Sequence, residues 1–105
     1  PEPDAQTQGF ERREAAMKID VKKPEKDELE RQGVFEWPTW EKEVSRFDWH
    51  YDEDETCYLI EGRVAVTMPD GTTVTFGAGD MVHFPAGLSC VWDISAPVKK
   101  HYRMG

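Results

Sequence analysis

Few side chains in this chain can do chemistry, and most fall in or beside two short stretches. The first is Glu55-Thr56-Cys57-Tyr58-Leu59-Ile60-Glu61-Gly62, and the second runs Gly79-Asp80-Met81-Val82-His83-Phe84-Pro85-Ala86-Gly87-Leu88-Ser89-Cys90. Glu55 carries a carboxylate, Cys57 and Cys90 the chain's two thiols, and His50, His83 and His101 its three imidazoles. Cys90 could act as a nucleophile with a base such as His101 beside it, but no Cys/His sequence signature is present. His83 alternates onto the face of Met81 and Pro85, as expected of a structural or solvent-exposed imidazole. His101, near the C-terminus, reads as a surface or hydrogen-bonded histidine with a pocket role as the alternative. Asp52-Glu53-Asp54 reads as a solvated acidic turn. Two cysteines in apolar strand sequence make no disulfide framework and are read as buried reduced thiols, with one inter-strand bridge as the alternative.

The elements that must position these groups are mostly strands. Both stretches alternate with the two-residue period of a strand and close on a glycine turn. From Glu43 onward the expected strands are 43–51, 55–60, 63–68, 72–76, 80–84, 89–94 and 98–103. Pro69-Asp70-Gly71 forms a hairpin turn between two of them. Seven short strands at short, regular spacing describe an all-β sandwich or barrel. Upstream, Met17-Lys18-Ile19-Asp20-Val21 alternates like a short edge strand. Residues 24–33 predict a short helix, with proline in its first turn, acids after it, Arg31 near its end and Gly33 to cap it. The stretch 34–41 holds Trp37 and Trp40, which predict aromatic packing over an open end or outer face of the barrel. Residues 1–16 are polar with two prolines and form a tail distinct from the domain at 17–105.

Composition narrows the function. At 105 residues the chain supports one domain with a modest core. A net charge of −8 argues against nucleic acid as a partner and leaves a basic protein partner open. Apolar runs are too short for a membrane span. The chain opens on Pro1-Glu2-Pro3 without an initiator methionine. A soluble, N-terminally processed protein is expected, cytoplasmic or organellar (plastid or mitochondrion).

The spacings Glu55-x6-Gly62 and Gly79-x5-Pro85-x-Gly87-x2-Cys90 resemble the two signatures of the cupins, small jelly-roll β-barrels. More narrowly, Trp37-Pro38-Thr39-Trp40, Ser45, Phe47, Trp49, Tyr51-Asp52, Glu55-Thr56-Cys57-Tyr58, Phe84-Pro85-Ala86-Gly87, Cys90, Trp92 and Lys100-His101-Tyr102 resemble the small single-domain (S)-ureidoglycine aminohydrolase-like cupins. The resemblance implies a barrel with a short N-terminal helix. It also places Glu55 where enzymatic cupins have a metal-binding glutamate, and Cys90 where they have a histidine. Their remaining histidine pair falls on Trp49 and Tyr51 in one register, or on Asp48 and His50 in the other. A one-residue shift turns a strand's side chains to the opposite face. The first register, which is favoured, makes a pocket of Trp49, Tyr51, Glu55, Cys90 and Trp92, with His101 as a further candidate. The second offers Asp48, His50, Glu55 and Cys90 to a divalent metal.

Two function classes follow. The favoured one is a non-catalytic module that binds a small, partly apolar or cationic molecule, or serves as an accessory subunit of a larger assembly. The alternative is a metal-assisted enzyme of the ureidoglycine aminohydrolase-like type. No cofactor is favoured. A protein partner is expected against residues 1–16, and a homodimer is an open option. A buried Glu55 would need hydrogen bonds or a proton, and Tyr51 is its expected partner.

Overall fold

The computed structural model describes residues 18–105. The polar tail and Met17 lie outside the described residues. The elements in order are β1 (Asp20–Lys22), α1 (Lys26–Gln32), a 3-10 turn (Val34–Glu36), β2 (Thr39–Lys42), β3 (Ser45–His50), β4 (Glu55–Thr67), β5 (Thr73–Gly77), β6 (Met81–Phe84) and β7 (Ser89–Met104). All strand pairs are antiparallel, and together they make an all-β fold of the jelly-roll kind.

Helix α1 forms where its end signals lie. Asp27 and Glu28 sit in the first turn and Arg31 in the last, each favourable to the helix dipole. Gly33 terminates it at φ 68°, a left-handed conformation that glycine adopts without penalty. The helix starts two residues after Pro24 and buries Leu29 with Val34 and Met81, partly covered by Trp37 and Tyr58. This small cluster lies apart from the main core.

The barrel is organised around β4 and β7, which pair along their whole length. On its other edge β7 pairs with β3 through its first half and with β2 through its second. Strand β4 likewise pairs with β6 and β5 in turn, and β6 carries β1. Two long strands thus replace the four short ones expected at 55–60, 63–68, 89–94 and 98–103. The pairing register slips between Leu59 and Val64, where Gly62 and Pro97 bend the two strands together. Those residues look like strand breakers in the sequence but act as hinges within continuous strands. Strand β2, expected only as aromatic packing, is hydrogen-bonded at the sheet edge. The hairpin at 69–71 forms as expected: Gly71 takes φ 89°, its N–H donates to the Met68 carbonyl, and the Thr72 N–H donates to Asp70 Oδ1.

The core fills the barrel from both long strands. Trp92, Tyr51, Phe84, Leu59, Ile94, Val64, Val66 and Cys57 are all buried. Each large apolar side chain contributes about 1.5–3 kcal/mol by leaving water. Tyr51 stacks on Phe84 with ring centroids 4.6 Å apart. Its backbone is fixed from both sides, since its N–H donates to the Leu88 carbonyl and its carbonyl accepts from Gly87.

Gly62 is the tightest point of this frame. Its φ is 119°, and a Cβ there would lie 2.8 Å from the Val98 Cα and 2.9 Å from the Pro97 carbonyl. We expect Gly62→Ala to cost about 2–3 kcal/mol, because both the conformation and the close approach exclude a methyl group. Urea denaturation checks this; an unchanged midpoint would mean the bend is not a point of close packing.

Candidate functional site

Strand pairing decides which side chains share the barrel interior. Trp49 stands opposite Cys90 and Phe47 opposite Trp92, so these four point to one face. Asp48 and His50 alternate onto the other face, opposite Val91 and Ser89. Both are exposed, and His50 is held at the surface by Ser89 Oγ, 2.7 Å from its Nδ1, with Asp52 Oδ1 3.6 Å from its Nε2. Of the two candidate pairs, Trp49 and Tyr51 belong with Glu55, whereas Asp48 and His50 do not converge on it.

Glu55 heads β4 and is 5% exposed. Its partner is Lys100 rather than Tyr51: Lys100 Nζ donates to Glu55 Oε2 at 2.7 Å, and both side chains are 6% exposed. Lys100 emerges from β7 opposite Trp40 of β2 and Leu59 of β4, and its chain reaches along the interior to the carboxylate. The ammonium lies 4.9 Å from the ring centroids of both Trp40 and Trp92, within cation–π range of each. The tyrosine is engaged elsewhere, its hydroxyl accepting from Trp92 Nε1 at 3.1 Å. Sequence reading missed Lys100 because a lysine is normally a surface residue. The available signal was parity, since Val98, Lys100 and Tyr102 alternate on one side of the strand.

The same parity sends His101 to the opposite face. There its Nδ1 lies 2.9 Å from the Trp37 carbonyl and its ring meets Phe35 edge-on. It is not part of the interior pocket. His83 lies on β6 with Thr56 Oγ1 3.1 Å from its Nδ1.

Above the ion pair a cavity of about 350 Å³ opens between β2, β3 and the end of β7. Trp40, Phe47, Trp49, Tyr51, Trp92 and Tyr102 form its walls, Glu55 and Lys100 its floor, and His50, Asp52 and Glu53 its rim. Trp49 is 42% exposed at the mouth. Glu55 Oε1 takes no hydrogen bond among the described residues. Glu55 is among the residues that line this cavity. A broader groove of about 530 Å³ runs past Trp49 between His50, Met68 and Pro69, and Cys90 lines that groove instead. It holds no buried charge, so the chemistry concentrates in the smaller cavity.

The donors around Glu55 do not suit a divalent ion. Oε2 already accepts from an ammonium, so the carboxylate on the floor is compensated and one of its two oxygens is taken. Burial, and next the negative charge of Glu55, push the Tyr51 hydroxyl far above the ordinary phenol range, so it stays protonated. Burial pushes the Cys90 thiol up to about 11. Among the described residues no three His, Cys, Asp or Glu side chains converge.

The antiparallel jelly-roll barrel, with Glu55 at the head of β4 facing its interior, is that of a cupin. The chain belongs to the EutQ-like cupin domain family, whose pattern matches residues 29–102. Among solved structures, a DUF861 family protein from Thermotoga maritima is 48% identical with a TM-score of 0.82, covering 84% of this chain and 100% of its own. A Pseudomonas syringae protein of the DUF861 family is 28% identical with a TM-score of 0.59, covering 64% of this chain and 29% of its own. The Clostridium difficile EutQ protein shares the fold at 24% identity and a TM-score of 0.58, over 63% of this chain; this chain spans about half of that one (52%). Among curated proteins, none matches. No helix among the described residues is long and apolar enough to cross a membrane.

Two tests follow from the floor. Removing one member of a buried pair costs about 3–5 kcal/mol, whereas replacing both by apolar residues is often neutral. Glu55→Leu and Lys100→Met should each lose that much stability, and the double variant should recover most of it. Additive losses in denaturant melts would show that the two groups are not energetically coupled. The thiols form the second test. Cys57 is pushed up to about 12, by burial against a lowering from Lys100. With Cys90 near 11, roughly one thiol in a thousand is ionised at pH 8. Neither cysteine should react with iodoacetamide at that pH until the protein is unfolded; rapid labelling of the native chain would contradict their burial.

Proposed function

We propose that this cupin domain is a small-molecule-binding module whose ligand is neutral or cationic, with a flat apolar body. The observation that carries this reading is the aromatic cavity over the Glu55–Lys100 floor, with Glu55 Oε1 left as an acceptor. Its volume of about 350 Å³ lies within the range of small-ligand sites and suits a molecule of roughly ten non-hydrogen atoms. Asp52 and Glu53 at the rim, on a chain of net charge −8, disfavour anions. Lys100 already compensates the Glu55 carboxylate on the floor, which supports a binding reading without a metal.

Ligand-observed NMR with neutral, cationic and anionic aromatic fragments tests the reading. Neutral or cationic fragments should bind, and Trp49→Ala should weaken them about tenfold with little loss of stability. Binding of anions alone, or binding indifferent to Trp49→Ala, would overturn it. Protein purified without chelator or metal-binding tag should carry no stoichiometric metal, and His50→Ala should leave stability nearly unchanged. About one metal per chain, lost in His50→Ala, would restore the ureidoglycine aminohydrolase-like enzyme with Asp48, His50, Glu55 and Cys90.

A second reading, an accessory subunit of a larger assembly, is favoured by apolar side chains on the face turned away from the cavity. Phe35 is 48% exposed where it meets Tyr58 edge-on, and Ile60 is exposed further along the same strand.

A further inference from the structure

Lys100 is an amine that the binding reading uses only as a counter-charge. It is 5% exposed, and it lines the cavity that opens to solvent at Trp49. Its single hydrogen-bond partner among the described residues is the Glu55 carboxylate at 2.7 Å. Two indole faces flank it at 4.9 Å. The carboxylate is within reach of a proton from the amine, and with the two ring faces it can hold a cationic adduct.

We infer that Lys100 captures a small neutral aldehyde or ketone as a reversible imine, with Glu55 carrying the protons. The inference rests on the cavity being a ligand site. Lys100 passes a proton to Glu55, its nitrogen lone pair attacks the carbonyl carbon, and a second proton moves from that nitrogen to the carbonyl oxygen, which becomes a hydroxyl. The C–O bond of this carbinolamine then breaks, and the hydroxyl leaves as water after taking a proton from Glu55. The ammonium and carboxylate that began the sequence become a protonated imine and a carboxylate, with one water released and nothing oxidised or reduced. The product cation stays between Trp40 and Trp92 and against Glu55, so the site that stabilises the ammonium also stabilises the adduct. Lysines held in hydrophobic surroundings are the ones that form such imines. A carboxylate ligand would instead meet Glu55 on the floor and Asp52 and Glu53 at the rim, which selects a neutral carbonyl.

Reductive trapping tests the inference. The full chain is incubated with benzaldehyde and cyanoborohydride, and the labelled lysines are identified by peptide mass spectrometry. Lys100 should be benzylated at least about tenfold faster than the exposed Lys22 and Lys26. Benzyl alcohol, of similar shape but without a carbonyl, should quench tryptophan fluorescence saturably and slow labelling at Lys100 alone. Glu55→Gln should slow labelling at Lys100, and Lys100→Arg should abolish it. The wild-type comparison of Lys100 with Lys22 and Lys26 stands even if a variant fails to fold. Labelling of Lys100 no faster than Lys22 and Lys26, with saturable quenching by benzyl alcohol, would overturn the imine and leave the binding module standing. No quenching by either compound and no labelling of Lys100 would overturn both.

Discussion

The structure depends on one buried contact, the ammonium of Lys100 against the carboxylate of Glu55. Each charge alone would cost several kcal/mol to remove from water, so neither strand can place its residue inside without the other. That couples the start of β4 to the end of β7 and admits only a register in which both side chains face inward. The same register sets Trp40 of β2 opposite Lys100, where its ring offers the cation an electron-rich face. Trp92 supplies the other face and donates its N–H to Tyr51, which stacks on Phe84. A single electrostatic requirement is thereby passed through four aromatic side chains to the far wall of the barrel.

The sequence announces local features better than it announces this contact. Gly33 and the charges around it mark a helix end because the dipole and the left-handed cap are decided within one turn. Pro69-Asp70-Gly71 marks its hairpin for the same reason, as Asp70 and Gly71 satisfy the turn by themselves. Gly62 and Pro97 mislead, because a bend within a strand and a break between strands use the same residues; only the pairing of β4 with β7 distinguishes them. Lys100 is hidden by a different cause. Its burial depends on a carboxylate 45 positions away, and no local pattern reports that distance. His101, one residue later, is sent to the outer face by the same alternation that brings Lys100 in.

Burial and aromatic enclosure also govern the reactivity of the neighbouring groups. Water is largely excluded from the floor, so Tyr51, Cys57 and Cys90 all hold their protons more tightly than in solution. Lys100 works against this trend at Cys57, lowering what burial raises, but burial wins there. The Tyr51 hydroxyl on the cavity wall and the two buried thiols therefore stay neutral near one compensated pair. The polarity of the floor is directional, coming from hydrogen bonds and ring faces rather than from net charge.

An ammonium in this position gives the barrel different powers from those of a divalent ion. A metal would hold two positive charges and draw in several oxygen or nitrogen ligands, activating water bound to it. The lysine holds one charge on a flexible stem, donates hydrogen bonds, and cannot take a ligand into a coordination sphere. Its hydrogen bond to the carboxylate, at 2.7 Å, meets the charge of Glu55 directly. The pair therefore keeps Glu55 compensated without a coordination sphere. The cavity above it is lined by aromatic faces, a carboxylate and an ammonium, groups suited to recognition rather than to activation of a bound water.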